Sequence, residues 1–179
     1  MKKSSRIHRR SGPRVAETLG LLALAAGLSG CMYGFEGGGF PPHIRTIYIA
    51  PFENQTAQFD VDQQLFTALI EELPAQLGLQ PAGRENADAI LTGSIRRYED
   101  VAQNYGTGSQ GGSGVLTHEV QIAISAQLVD VRDNVIRWEA GSLVGRGTYE
   151  PARETDDAGQ QGAIASIIEQ IIDGAQSQW

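Results

Sequence analysis

Along this chain the rhythm of apolar and polar positions changes several times, and each rhythm predicts an element. From residue 120 on, Val120, Ile122, Ile124, Ala126 and Leu128 alternate with Gln121, Ala123, Ser125 and Gln127. A period of two gives a strand one core face and one more polar face. Asp133-Asn134 then supplies a turn before Val135 to Val144, so these two strands should pair as an antiparallel hairpin, and Tyr149-Glu150-Pro151 ends the sheet. Upstream, Ile44 to Ala50 is β-branched and aromatic and stops at Pro51, which reads as a buried strand. Ala87 to Val101 reads as another, with Ile90, Leu91, Ile95 and Tyr98 among polar residues that imply partial exposure.

Two stretches change to a helical period. Val61, Leu65, Phe66, Leu69, Ile70, Leu73 and Leu77 recur on one helical face, after Asp60 and Gln63 in a variant of the capping box. Pro74 should kink or shorten the last turn, and Gly78 suits the position after the helix end. Leu79 to Ala82 offers a short further edge strand. Ile164, Ile167, Ile168, Ile171, Ile172 and Ala175 mark a second helix, capped by Asp156 or Asp157. The predicted order is β-α-β-β-β-α. Its simplest packing is an α+β, two-layer sandwich, with both helices on one face of a mostly antiparallel sheet of about four strands.

The N-terminus does not belong to that domain. Met1 to Arg14 is densely basic, and Leu19 to Leu28 is almost unbroken apolar sequence, the pattern of a secretory signal peptide. The apolar run is about half the roughly 20 residues that a bilayer-spanning helix needs. It closes on Leu28-Ser29-Gly30-Cys31, which resembles the lipobox of bacterial lipoproteins, where the cysteine is acylated and becomes the new N-terminus. Each buried methylene of an acyl chain adds about 0.8 kcal/mol of membrane affinity, so several chains hold a domain on a bilayer. The expected organisation is a cleaved signal peptide over 1–30, a lipidated flexible tether over 31–43, rich in glycine and proline, and a single domain over 44–179. Met32 stands where lipoproteins retained at the inner membrane usually carry Asp, which favours the outer membrane, with the domain facing the periplasm.

Cleavage also changes the charge. Residues 31–179 keep 8 arginines, no lysine and 20 acidic residues, a net charge of −12, which repels phosphate backbones and argues against nucleic-acid partners. Cys31 is the sole cysteine, so an intrachain disulfide and a cysteine metal cluster are excluded.

Little else points to chemistry. Gly106-Thr107-Gly108-Ser109-Gln110-Gly111 matches the dinucleotide-binding glycine pattern, but a strand follows it where the pattern requires a helix N-terminus, so a flexible loop is expected. His43, in the tether, and His118, at a strand start, lie in no metal spacing and are expected at the surface. No nucleophile signature accompanies them, so no enzyme activity, no catalytic residue and no cofactor beyond the lipid on Cys31 is expected. Asn54-Gln55-Thr56 fits a glycosylation pattern that a bacterium normally leaves unused. Trp138 and Tyr149 read as core residues before interface anchors. Arg96-Arg97, the one basic pair of the folded region, is either solvated or a contact for an anionic head group or an acidic partner.

The mature chain resembles the LPS-assembly lipoprotein family (LptE). The resemblance rests on Cys31-Met32-Tyr33-Gly34-Phe35, on Pro42 to Thr56 (PHIRTIYIAPFENQT) and on Ala87 to Ile95 (ADAILTGSI), together with the later hairpin and terminal helix. It implies a non-enzymatic, lipid-anchored outer-membrane protein that plugs and helps assemble a large β-barrel translocon and engages lipopolysaccharide on its way to the outer leaflet. Some members meet lipopolysaccharide through basic residues, from which this lysine-free domain departs. Two other classes remain open: an envelope lipoprotein that activates a cell-wall enzyme or another periplasmic complex, and a lipid-anchored hydrolase.

Overall fold

A computed structural model of the protein describes residues 40–104 and 116–177. The signal segment, Cys31 with most of the tether, and the glycine-serine stretch 106–114 lie outside the described residues. The alternating segment forms the centre of the fold. Strand β5 (Leu116–Asp130) turns Val120, Ile122, Ile124, Ala126 and Leu128 inward, each at most 2% exposed. It pairs antiparallel with β4 (Ala89–Asn104) on one side and with β6 (Val135–Tyr149) on the other. The turn between β5 and β6 closes on Asn134 at φ 52°, a left-handed conformation that Asn tolerates better than most residues.

The remaining strands are β1 (Thr46–Ile49), β2 (Glu53–Asn54) and β3 (Gln80–Pro81), and the strand order is β3-β1-β4-β5-β6, with β2 also pairing with β4. The sheet is therefore six-stranded and mixed, larger and less antiparallel than the pattern predicted. β1 pairs parallel with both β3 and β4, and β2 parallel with β4. A parallel neighbour requires a crossover connection, supplied here by helix α1 (Val61–Leu77) between β1 and β3. Strands of two residues carry no periodic signal, which is why β2 escapes detection from pattern alone.

On α1 the buried stripe is Val61, Leu65, Leu69, Leu73 and Leu77, while Phe66 is half-buried and Ile70 is exposed, against expectation. A spacing of four keeps the stripe narrow, and Ile70, a further 100° around from Leu69, falls outside it. Asp60 makes no side-chain capping bond, so the capping box is absent. Gly78 ends the helix at φ 69° with its N–H on the Ala75 carbonyl. Helix α2 (Asp156–Gln176) buries Ile164, Ile167, Ile168, Ile171 and Ala175 against the sheet. It lies close over β6 because a Cβ at Gly145 or Gly147 would collide with the carbonyls of Ala163 and Gly159. Trp138, on β6, is buried with its indole against Gly174, and Tyr149 is buried too, as the core reading anticipates. Each large aliphatic side chain in this core contributes about 1.5–3 kcal/mol.

Candidate functional site

Polar side chains converge at three places. At the end of the sheet where β1 meets β4, the buried Asp130 carboxylate accepts from Arg137 Nε (3.0 Å) and Nη2 (2.8 Å), lies 2.8 Å from His43 Nε2, and takes the Asp133 backbone N–H (3.1 Å). Burial pushes this carboxyl up, but Arg137, the Asp133 N–H and His43 together outweigh it and hold the group at about 2. His43 is thus fastened to the sheet, and Phe40 packs on the core. Close by, Asp88 accepts the backbone N–H groups of Arg45 and Thr46 and the Thr46 hydroxyl, bonds that lower its pKa and tie β1 to the start of β4.

His43, Asp130 and Asp133 could present three ligand atoms within 4.8 Å of one another. Arg137, however, already bonds both carboxylates, at 2.8 and 2.7 Å. A cation there would sit against a guanidinium, so the group is a compensated Arg-carboxylate network that pins the hairpin turn and the chain entering β1.

The second cluster lies at the opposite end of the sheet. Tyr149 donates to Asp100 Oδ2 at 2.7 Å, His118 Nδ1 lies 2.9 Å from Asp100 Oδ1, and the Tyr149 oxygen is 3.3 Å from His118 Nδ1. The bond to Asp100, then burial, pushes the Tyr149 phenol up to about 12. His118 therefore bridges strands while its side chain stays partly exposed. Its described partners are a carboxylate and a phenol, with no serine, threonine or cysteine among them to serve as a nucleophile.

The third is the sheet face away from the helices, where the sequence-predicted arginines lie. A bulge shifts the β4·β5 register between Ile95 and Arg97. Ile95 opposite Ile124 and Tyr98 opposite Ile122 both point to the helices, so Arg96 and Arg97 fall consecutively on the open face. Arg96 Nε donates to Ser125 Oγ at 3.1 Å, and Ser94 and Ser125 share a 2.9 Å bond. They rim a shallow depression of about 360 Å³ that Thr92, Gln127, Glu53 and Glu139 also line. Arg97 is mostly exposed, 3.7 Å from Glu99. The arrangement offers hydrogen-bond donors and positive charge. No spacing signals the bulge, so alternation alone would have sent Arg96 and Arg97 to opposite faces.

The model of a family described as "LptE: Lipopolysaccharide-assembly" matches residues 44–177. No curated protein matches the chain. Among solved structures, the hypothetical protein CT253 from Chlamydia trachomatis is 7% identical with a TM-score of 0.50, covering 74% of this chain and 98% of that one, a likeness of fold alone. The PelC dodecamer from Paraburkholderia phytofirmans is 19% identical with a TM-score of 0.48 (78% and 93% covered). The lipoprotein GNA1162 from Neisseria meningitidis is 11% identical with a TM-score of 0.44 (72% and 99% covered).

Proposed function

The chain belongs to the LptE lipopolysaccharide-assembly family, and from that membership we propose that it is a lipid-anchored outer-membrane protein that plugs and helps assemble the β-barrel translocon delivering lipopolysaccharide to the outer leaflet. The observation that carries this reading is the extent of the family match, which takes in both helices and every described strand. The polar clusters agree with it. Two lock the ends of the sheet through carboxylates and their partners, and the third sets Arg96 beside the Ser94 and Ser125 hydroxyls. In this reading the lipid on Cys31 holds the domain at the membrane, and Arg96 and Arg97 are its contacts for phosphate-bearing lipopolysaccharide or for an acidic segment of the barrel, since paired guanidinium groups suit both.

A tagged copy purified from gently solubilised outer membranes tests the proposal, with co-purifying proteins identified by mass spectrometry. A stoichiometric large β-barrel is expected. Recovery of a cell-wall synthase in its place, or of no partner under conditions that preserve barrel complexes, overturns the translocon role. With the barrel recovered, Arg96→Ala combined with Arg97→Ala should weaken lipopolysaccharide binding at least tenfold without lowering the melting temperature.

A further inference from the structure

The sheet face away from the helices changes character along its length. At the level of Arg96 it is polar. Six residues back along β4 the strand pairing sets four apolar side chains in one row: Tyr48 on β1 stands opposite Ile90 on β4, Ile90 opposite Val129 on β5, and Val129 opposite Ile136 on β6. Directly opposed residues share a sheet face, and the chain neighbours Ile47, Ile49, Ala89, Leu91 and Leu128 are buried on the helix side, so the row faces outward. None of the four belongs to the core. Glu139, one row on, marks where the polar part of the face begins.

The row ends at the β5-β6 turn, where Val131, Val135 and Ile136 are 45, 45 and 50% exposed, three of the six large apolar side chains that stand exposed among the described residues. Exposed apolar residues scattered singly are ordinary on a folded surface, whereas a contiguous group marks an interaction site. This turn is held in place. Arg137 bonds both Asp130 and Asp133, and the Val131 N–H donates to the Asp88 carbonyl at 2.9 Å. The apolar groups are therefore presented on a fixed frame.

Where the chain enters selects the occupant. β1, β4 and β6 begin at this end of the sheet and β5 ends there, and the segment leading from Cys31 arrives at the same end, with His43 2.8 Å from Asp130 beside the turn. Cys31 precedes Phe40 by nine residues, a span of at most about 30 Å. A lipid on Cys31 thus holds this end of the sheet next to a bilayer. The bordering charges do not oppose contact with phospholipid: Arg45 and Arg132 are exposed, Arg137 offsets Asp130 and Asp133, and Asp88 accepts the Arg45 and Thr46 N–H groups. A second copy of this lysine-free, acidic chain would bring like charge to like.

We propose that Tyr48, Ile90, Val129, Val131 and Ile136 form a membrane-docking face that lies on the phospholipid surface beside the anchor. Val131 and Ile136 enter the boundary between head groups and acyl chains, the Tyr48 phenol sits among the head groups, and Arg45 and Arg132 meet phosphates. Docking fixes the orientation of the domain on its anchor, which a tether alone leaves open. The inference rests on the proposed lipid at Cys31 and not on the translocon.

The test is site-directed spin labelling of the full chain, purified with any bound partner and reconstituted into phosphatidylethanolamine-phosphatidylglycerol vesicles. Acylation blocks Cys31, so nitroxides attach at Val131→Cys or Ile136→Cys and, as controls, at Ile70→Cys on α1 and Val101→Cys toward the far end of β4, all exposed positions. Oxygen concentrates in lipid and a nickel chelate stays in water, so the ratio of label relaxation by the two reports contact with the bilayer. That ratio should be about tenfold higher at 131 and 136 than at 70 and 101. Ile136→Asp should remove most of the gain at 131 without lowering the melting temperature; if it melts early, Ile136→Ser takes its place, with the same expected loss. Nickel access at 131 and 136 equal to the controls, shielding from both reagents by a protein partner, spin-spin broadening from a second copy, or a lipid signature at all four sites overturns the proposal. The mass of the mature protein reports acylation separately. An unmodified Cys31 with lipid-contacting labels keeps this face and overturns the anchor; an acylated Cys31 with water-exposed labels does the reverse.

Discussion

Asp130 is the most tightly held charge in the described chain, and its replacement by Asn should be costly. The side chain has no exposed surface and serves Arg137, His43 and the Asp133 N–H together. Asn keeps the volume and one acceptor, but its amide must face either the guanidinium or the Asp133 N–H, donor against donor. Breaking a buried ion pair by removing one partner costs about 3–5 kcal/mol. Arg137 keeps Asp133, at 2.7 Å and partly exposed, so the lower end applies, about 3 kcal/mol. For a domain of this size that is a fall of roughly 10 °C in Tm. Urea denaturation followed by circular dichroism at pH 7 measures it, with Asp133→Asn as a control that should lose less than about 1 kcal/mol. Acid supplies the second test. The Asp130 carboxyl sits at about 2 in the fold, below its ordinary 3.8, so its stabilisation is complete well above pH 3.8 and is lost as pH falls through 2. The gap between the parent and Asp130→Asn should stay constant above about pH 5 and close between about pH 4 and 2. A loss at pH 7 under about 1 kcal/mol, or a gap that acid leaves intact, would refute the reasoning.

Gly147→Ala should cost about 1–3 kcal/mol by pushing α2 off β6, seen as a lower Tm and altered near-ultraviolet dichroism, whereas Gly141→Ala, with open space around it, should be close to neutral. Tyr149→Phe removes a 2.7 Å bond to a carboxylate at a partly exposed site and should cost about 1 kcal/mol at pH 7. Because the fold raises the Tyr149 phenol from 10 to about 12, that stabilisation is present below pH 10 and lost as pH rises through 12, so the difference between Tyr149→Phe and the parent should disappear in strong alkali. Cys31→Ser should abolish acyl labelling and release the domain from membranes; unchanged membrane retention would contradict lipid anchoring at Cys31.

Much of this protein was legible in one dimension, because a residue's face follows from its place in the local repeat. The alternation from Val120 to Leu128 announced β5, the turn at Asp133-Asn134 announced its hairpin with β6, and the isoleucine stripe announced α2. Gly78 marked the end of α1 because only a residue at ease with positive φ closes a helix that way. Periodicity specifies which side of an element is buried, not what buries it. The parallel pairings of β1, the two-residue strand β2, and the bulge that sets Arg96 beside Arg97 on one face were decided by the packing of the sheet. So were the polar clusters. His43 meets Asp130 across 87 residues of sequence, and Tyr149 meets Asp100 across 49, and no local pattern encodes a hydrogen bond between groups that only the completed sheet brings within 3 Å.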